Sequence, residues 1–239
     1  MFRKIGLACA LAVWPLSAVA QELSEDRVKE LALQAILENP QIIIEAVAIL
    51  EQERQAAQMA AGAQVLQERR DFLEGDPNAP YVGAEEPTAI VVEFFDYNCP
   101  YCKRAAADVK ALLGDDEDVR VVYREWPILG EGSVFAARAA LAAREQGKYE
   151  EMHWALMELR GRAEEASIIA AARDLGLDID RLRADMESAA VTTHIEDTRE
   201  LAQALGITGT PAFVIGDAVV PGAVPLEDLQ SFVAQARSE

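Results

Sequence analysis

From Ala89 to Phe95 every position but Glu93 is apolar, and after the loop Asp96-Tyr97-Asn98 the chain enters Cys99-Pro100-Tyr101-Cys102. A short apolar run of this kind reads as a strand covered on both faces. Proline directly after Cys99 suits the first turn of a helix, where its missing N–H would find no partner anyway. The chain must therefore pass from buried strand to helix within a few residues. Cys99 falls at the N-cap of that helix and Cys102 lies one turn further in.

That placement has chemical consequences. The unpaired N–H groups of Tyr101 and Cys102 face a sulfur at the N-cap, and together with the positive helix end they favour thiolate over thiol. Lys103 and Arg104 bring further positive charge. Cys99 is the expected nucleophile, and Cys102 is expected to attack the mixed disulfide that Cys99 forms. Glu93, a carboxylate in a run of Val, Ile and Phe, is costly to bury, so its pKa should rise. A partly protonated Glu93 beside the helix would relay the proton that Cys102 loses. The alternative is an edge-facing glutamate that reaches water. Asp96 reads as an ordinary loop carboxylate or a helix-entry cap, and His153 and His194 as surface or packing residues rather than ligands.

Arg3-Lys4, the apolar stretch from Ile5 to Trp14 and Ala18-Val19-Ala20 together read as a secretory signal peptide, residues 1–20, cleaved after Ala20. This implies export to the periplasm, where disulfides persist. Cys9 leaves with the signal, so Cys99 and Cys102 are the only cysteines of the mature chain. Their loop is too small to act as much of a structural staple, a closed zinc site wants four ligands, and attached haem wants His where Lys103 stands. Redox chemistry is what remains, with no cofactor and no resident metal called for. A pair of thiolates is also able to chelate Cu(I), which makes a copper-binding role the alternative of another class. The 239 residues carry 22 Lys and Arg against 41 Asp and Glu, a net charge of −19. Such a surface repels phosphate backbones, so nucleic acid is not an expected partner.

Ser24 to Leu37 has helical apolar spacing, Asn39-Pro40 breaks it, and from Ile42 to Leu50 only Glu45 is polar. A helix apolar all round must be buried somewhere. It either docks on its own globular domain or packs against copies of itself. The Gln-, Glu- and Ala-rich stem that follows, through Arg70, favours a self-associating stalk. Residues 21–75 thus form an N-terminal helical oligomerisation segment, and the turn-forming stretch Gly75 to Pro80 separates it from a domain at 81–239. There the pattern predicts a helix from Pro100 to about Leu113, a second strand at Val119–Tyr123, a helical block at about 131–205, a hairpin of Phe213–Ile215 with Ala218–Val220, and a closing helix to Ala236. The order describes an α/β fold, a small mixed sheet covered by helices.

VEFFDYNCPYC (Val92 to Cys102) resembles the DsbA-like branch of the thioredoxin superfamily, and YREWPILGEGSVFAARAALAA (Tyr123 to Ala143) and GITGTPAFVIGDAVVPGA (Gly206 to Ala223) extend the match. With LENPQIIIEA ahead of them, the chain looks most like the ScsC/Com1-type exported thiol–disulfide oxidoreductases. The resemblance implies a thioredoxin fold with an inserted helical domain, preceded by a helical extension of the kind that oligomerises some members. It implies that Glu93 is the buried acid and that Pro211 is cis beside the cysteines, although X–Pro bonds in general are cis in only about 5–6% of cases. Pro100, Tyr101, Thr210 and Pro211 would then line the client side, with the Thr210 backbone offered to an extended strand. Partners would be client proteins with cysteines or disulfides, and a membrane redox partner that resets the pair. Strongly oxidising members carry His where this chain has Tyr101, and a neutral ring supplies no cation to Cys99. That departure points to an isomerase or reductase, with a DsbA-type dithiol oxidase as the alternative.

Overall fold

The computed structural model describes residues 24–238. The segment read as a signal peptide, with Cys9, lies outside the described residues. The chain divides into two compact units between Glu53 and Arg54.

In the first unit α1 (Glu25–Glu38) starts at Ser24, whose side chain accepts from the Arg27 N–H, and none of its residues is buried. Asn39-Pro40 ends it, and α2 (Gln41–Gly75) follows. The apolar stretch at the start of α2 is bare: Ile44 is 71% exposed, and Ile42, Ile43, Val47, Ile49 and Leu50 are exposed as well.

The second unit is built on a sheet of β1 (Tyr81–Gly83), β2 (Ala89–Phe95), β3 (Val119–Glu125), β4 (Ala212–Ile215) and β5 (Ala218–Pro221), in the order β1-β3-β2-β4-β5. β2 and β3 run parallel, and the other pairs are antiparallel. The strand β1 has too few residues to leave a periodic signal. The parallel pair is joined by α3 (Pro100–Asp115), and the hairpin β4–β5 is followed by α9 (Leu226–Ala236). Between β3 and β4 lies the expected helical block: α4 (Glu131–Ala143), α5 (Tyr149–Glu158), α6 (Glu165–Asp174), α7 (Ile179–Asp185) and α8 (Ala189–Ala204). A thioredoxin-like sheet with an inserted helical layer is thus the observed α/β architecture.

Strand alternation sorts the core into two faces. Val91, Phe95, Val121 and Tyr123 join α3, α9 and the helical block in one cluster. Val92, Phe94, Val122 and Val214 form the other with Leu66 and Leu73 of α2, Leu201 of α8 and Leu205 at the end of that helix. The second half of α2 is therefore packed on the sheet. Sequence patterning puts the boundary at Gly75–Pro80, whereas packing starts the compact unit at Arg54. Gly62 permits this closeness, since a Cβ there would stand 3.1 Å from the Leu205 carbonyl oxygen. Arg124, fully buried on this face, pairs with Asp76 at 2.8 Å and donates to the Phe72 and Leu73 carbonyls at 2.6 and 3.0 Å. It fastens the end of α2 to β3.

Candidate active site

The strand-to-helix join is as the sequence implies. Cys99 is the N-cap of α3, with φ −77° and ψ 119°, and Pro100 opens the helix. Both thiols are free. Cys102 is fully buried, while Cys99 keeps 4% of its surface. The Thr210–Pro211 peptide is cis, and it brings the Thr210 carbonyl oxygen to 3.2 Å from Cys99 Sγ, which donates to it.

The two sulfurs differ in their environments. The Cys102 thiol hydrogen-bonds to Cys99, and the Thr210 side chain and the N–H groups of Cys102 and Tyr101 add to that; together they outweigh burial and bring the Cys99 pKa down to about 5. Cys102 is held far above the ordinary thiol range, first by burial, then by its bond to Cys99 and by the nearby Glu93. One cysteine is a ready nucleophile at neutral pH, and its neighbour keeps its proton until something takes it.

Glu93 is 1% exposed, which rules out the edge-facing alternative. Burial, reinforced by the charge of Glu125, pushes its carboxyl up to about 8. Alternation places Glu93, Tyr123 and Glu125 on the same face of the sheet, under α3, with Glu93 in register with Tyr123. Glu125 accepts from the Tyr149 hydroxyl at 2.5 Å and stands 2.6 Å from His194 Nε2, so α5 and α8 both meet β3 at this carboxylate. The Tyr97 hydroxyl lies 3.1 Å from His153 Nδ1, and burial lowers the His153 pKa to about 3, which keeps the ring neutral. Both histidines are thus interior packing residues rather than surface ones.

Asp96 departs from expectation. It is 2% exposed and accepts from the Asn98 N–H at 2.7 Å and from the Ile128 and Leu129 N–H groups at 2.8 and 2.9 Å. Two converging backbone donors from the loop after β3 make burial of this carboxylate affordable, and it ties that loop to the approach to Cys99. Asn98 bridges in the same way, accepting from the Ala163 N–H at 2.7 Å and donating to Ser133 Oγ. Lys103 does not face the sulfur but donates to the Leu159 and Gly161 carbonyls. Arg104 lies over the Tyr101 ring, and Tyr101 itself is 55% exposed. Of the residues expected at the site, Cys99, Cys102, Pro100, Tyr101, Thr210 and Pro211 belong to the join and the loop that meets it, and Glu93 lies beneath.

Residues 90–234 match the family model described as the DSBA-like thioredoxin domain. Among solved structures, a thioredoxin-like oxidoreductase from Silicibacter pomeroyi is 58% identical, with 71% of this chain and 98% of that one covered at a TM-score of 0.70. Proteus mirabilis ScsC in a transitional conformation is 30% identical, with 92% and 98% covered and a TM-score of 0.69. A periplasmic thioredoxin-like protein from Salmonella enterica serovar Typhimurium is 33% identical, with 71% and 96% covered and a TM-score of 0.63. Among curated relatives, the Na(+)/H(+) antiporter NhaA 1 of Salinispora arenicola is 33% identical over 164 residues, 67% of this chain but 25% of the antiporter. The chain spans about a quarter of the length of the curated relatives it matches. Among the described residues no single helix is long and apolar enough to cross a membrane.

Proposed function

The chain belongs to the family of DSBA-like thioredoxin domains, and on that premise we propose that it is an exported thiol–disulfide oxidoreductase that reduces or shuffles disulfides of client proteins. The asymmetry of the two thiols carries this reading: a lowered pKa at the slightly open Cys99 and a raised one at the covered Cys102. Cys99 thiolate attacks one sulfur of a client disulfide. A Cys99–client bond forms, the client S–S bond breaks, and the departing client thiolate takes up a proton. Cys102 then gives its proton to the ionised Glu93 and attacks Cys99 Sγ, which closes Cys99–Cys102 and frees the reduced client. In the shuffling branch another client thiolate displaces Cys99, and no net electrons move. The reducing branch leaves the enzyme oxidised and needs a dithiol donor, the role expected of a membrane redox partner.

The thiol supports the reducing or shuffling direction. A Cys99 pKa of about 5 lies between about 3.5 for strongly oxidising DsbA and about 7 for thioredoxin. A thiolate less stabilised than in DsbA makes the reduced form less favoured, so the reduction potential should lie between roughly −120 and −270 mV. A value at the upper end would support the dithiol-oxidase alternative. Refolding of a scrambled multi-disulfide protein, with and without Cys99→Ala, is the direct test. Equal rates for the two proteins would remove the proposal.

The signal-like start supports export, and the bare apolar stretch Ile42–Leu50 supports self-association through residues 21–75, with 81–239 as the catalytic part. Several catalytic units on one stalk would raise the effective concentration at a client. The copper reading would use the same two sulfurs, Cys99 and Cys102, as a two-coordinate thiolate site. Copper titration of the reduced protein addresses it separately.

A further inference from the structure

Strand β5 is an edge of the sheet, paired only with β4. The phase of that ladder is set by the Gly222 N–H donating to the Pro211 carbonyl at 2.8 Å. Antiparallel pairs alternate between bonded and non-bonded, and the register matches Val219 with Val214 and Pro221 with Ala212. Counting from Gly222, Val219 and Pro221 fall at the non-bonded pairs. The Val219 N–H and C=O and the Pro221 C=O therefore point away from the sheet. Val219 and Pro221 also line a cavity of about 780 Å³ whose opposite wall is α2, with Gln55, Gln58 and Met59. The helix is pinned at the C-terminal end of this slot: Leu66 is buried against the sheet, and Arg70 donates to the Gly216 carbonyl and pairs with Asp217.

Three properties define the occupant. Unused strand polarity on one wall calls for an extended backbone. Among the residues lining the slot Asp217 alone is charged, and Arg70 already engages it, so an uncharged segment fits. Met59, 70% exposed, offers a flexible apolar surface that suits varied side chains. The slot also continues to Thr210, whose carbonyl oxygen is 3.2 Å from Cys99 Sγ. We propose that the slot between β5 and α2 is a strand-addition site for an extended, uncharged stretch of client polypeptide, joined to the cysteine that the same client presents to Cys99. The proposal rests on the thiol–disulfide reading and makes the helical stem a wall of the client site.

The full-length reduced protein can be assayed against two disulfides, oxidised glutathione and a peptide disulfide carrying several uncharged residues beside its cysteine. Val219→Pro removes the outward N–H, and Met59→Glu places a charge in the slot from the exposed helix side. The ratio of peptide to glutathione rate constants should fall about tenfold in each, a loss of roughly one good contact. An unchanged ratio in both variants would overturn the proposal. If Val219→Pro fails to fold, Met59→Glu decides. Anisotropy of a labelled peptide with Ser in place of Cys separates the two readings: binding weakened by either variant supports the slot even if glutathione does not react. Absence of such binding in the wild type, as when a second copy fills the slot, would overturn it.

Discussion

The two faces of the sheet bury polar groups for opposite purposes. On the face toward α2, Arg124 has a carboxylate partner and two backbone carbonyls, and only its Nε is left without a partner. Beneath α3, Glu93 is buried with its Oε1 unpartnered, beside a Tyr123 hydroxyl in the same condition. A buried charge with its counter-ion holds elements together. A buried acid without one costs stability and is poised to exchange a proton. The comparison teaches that burial alone does not identify a working residue; lack of a counter-charge does.

The largest effect that would break this contrast is on the α2 side. Arg124→Met leaves Asp76 buried without its cation and should destabilise the protein by about 4 kcal/mol, measured by urea denaturation, with Cys99 alkylation unchanged at its own midpoint. Loss of thiol reactivity in a still-folded variant would show that the two faces are not separable. Glu93→Gln should act in the opposite sense. The unfolded chain releases this proton near 4.5 and the folded one near 8. The stabilising effect of the protonated form is complete below pH 4.5 and is lost as pH rises through 8. The variant should therefore match the wild type at pH 4 and exceed it by on the order of 4 kcal/mol at pH 8. It should also slow closure of Cys99–Cys102 by about a hundredfold, since the base that takes the Cys102 proton is gone.

Tyr149→Phe removes one hydroxyl donor from Glu125 and should cost about 2 kcal/mol, with the initial attack by Cys99 unaltered. Smallest in energy and sharpest in outcome is the alkylation profile. Cys99 should react with a midpoint near pH 5, and a midpoint near 8.5 would mean that the helix start does not hold its thiolate.

Much of this was legible in the chain. The apolar run, the proline after Cys99 and the two-residue spacing specify a strand, a helix and the reactive sulfur by local rules alone. The buried Glu93 was legible too, because a lone acid among Val, Ile and Phe has no other explanation than burial or an edge. Arg124 and Glu125 were not. Tyr123-Arg124-Glu125 looks like the polar end of a strand, and only the continued alternation from Val119, Val121 and Tyr123 places Glu125 on the α3 face. Its partners, Tyr149 and His194, sit on helices 24 and 69 residues away, and nothing local announces such a meeting. The burial of the Asp96 carboxylate was missed for the same reason, since two of its three donors, Ile128 and Leu129, lie beyond the next strand.

Under the proposed exchange with client disulfides, so little of Cys99 lies at the surface that a globular protein whose disulfide is flush with its own surface would have no way to present that bond to the sulfur. A loose chain does. Shape alone would then sort the substrates: misassembled proteins with pliant loops are admitted, finished ones are left alone, and no sequence code is needed to tell them apart.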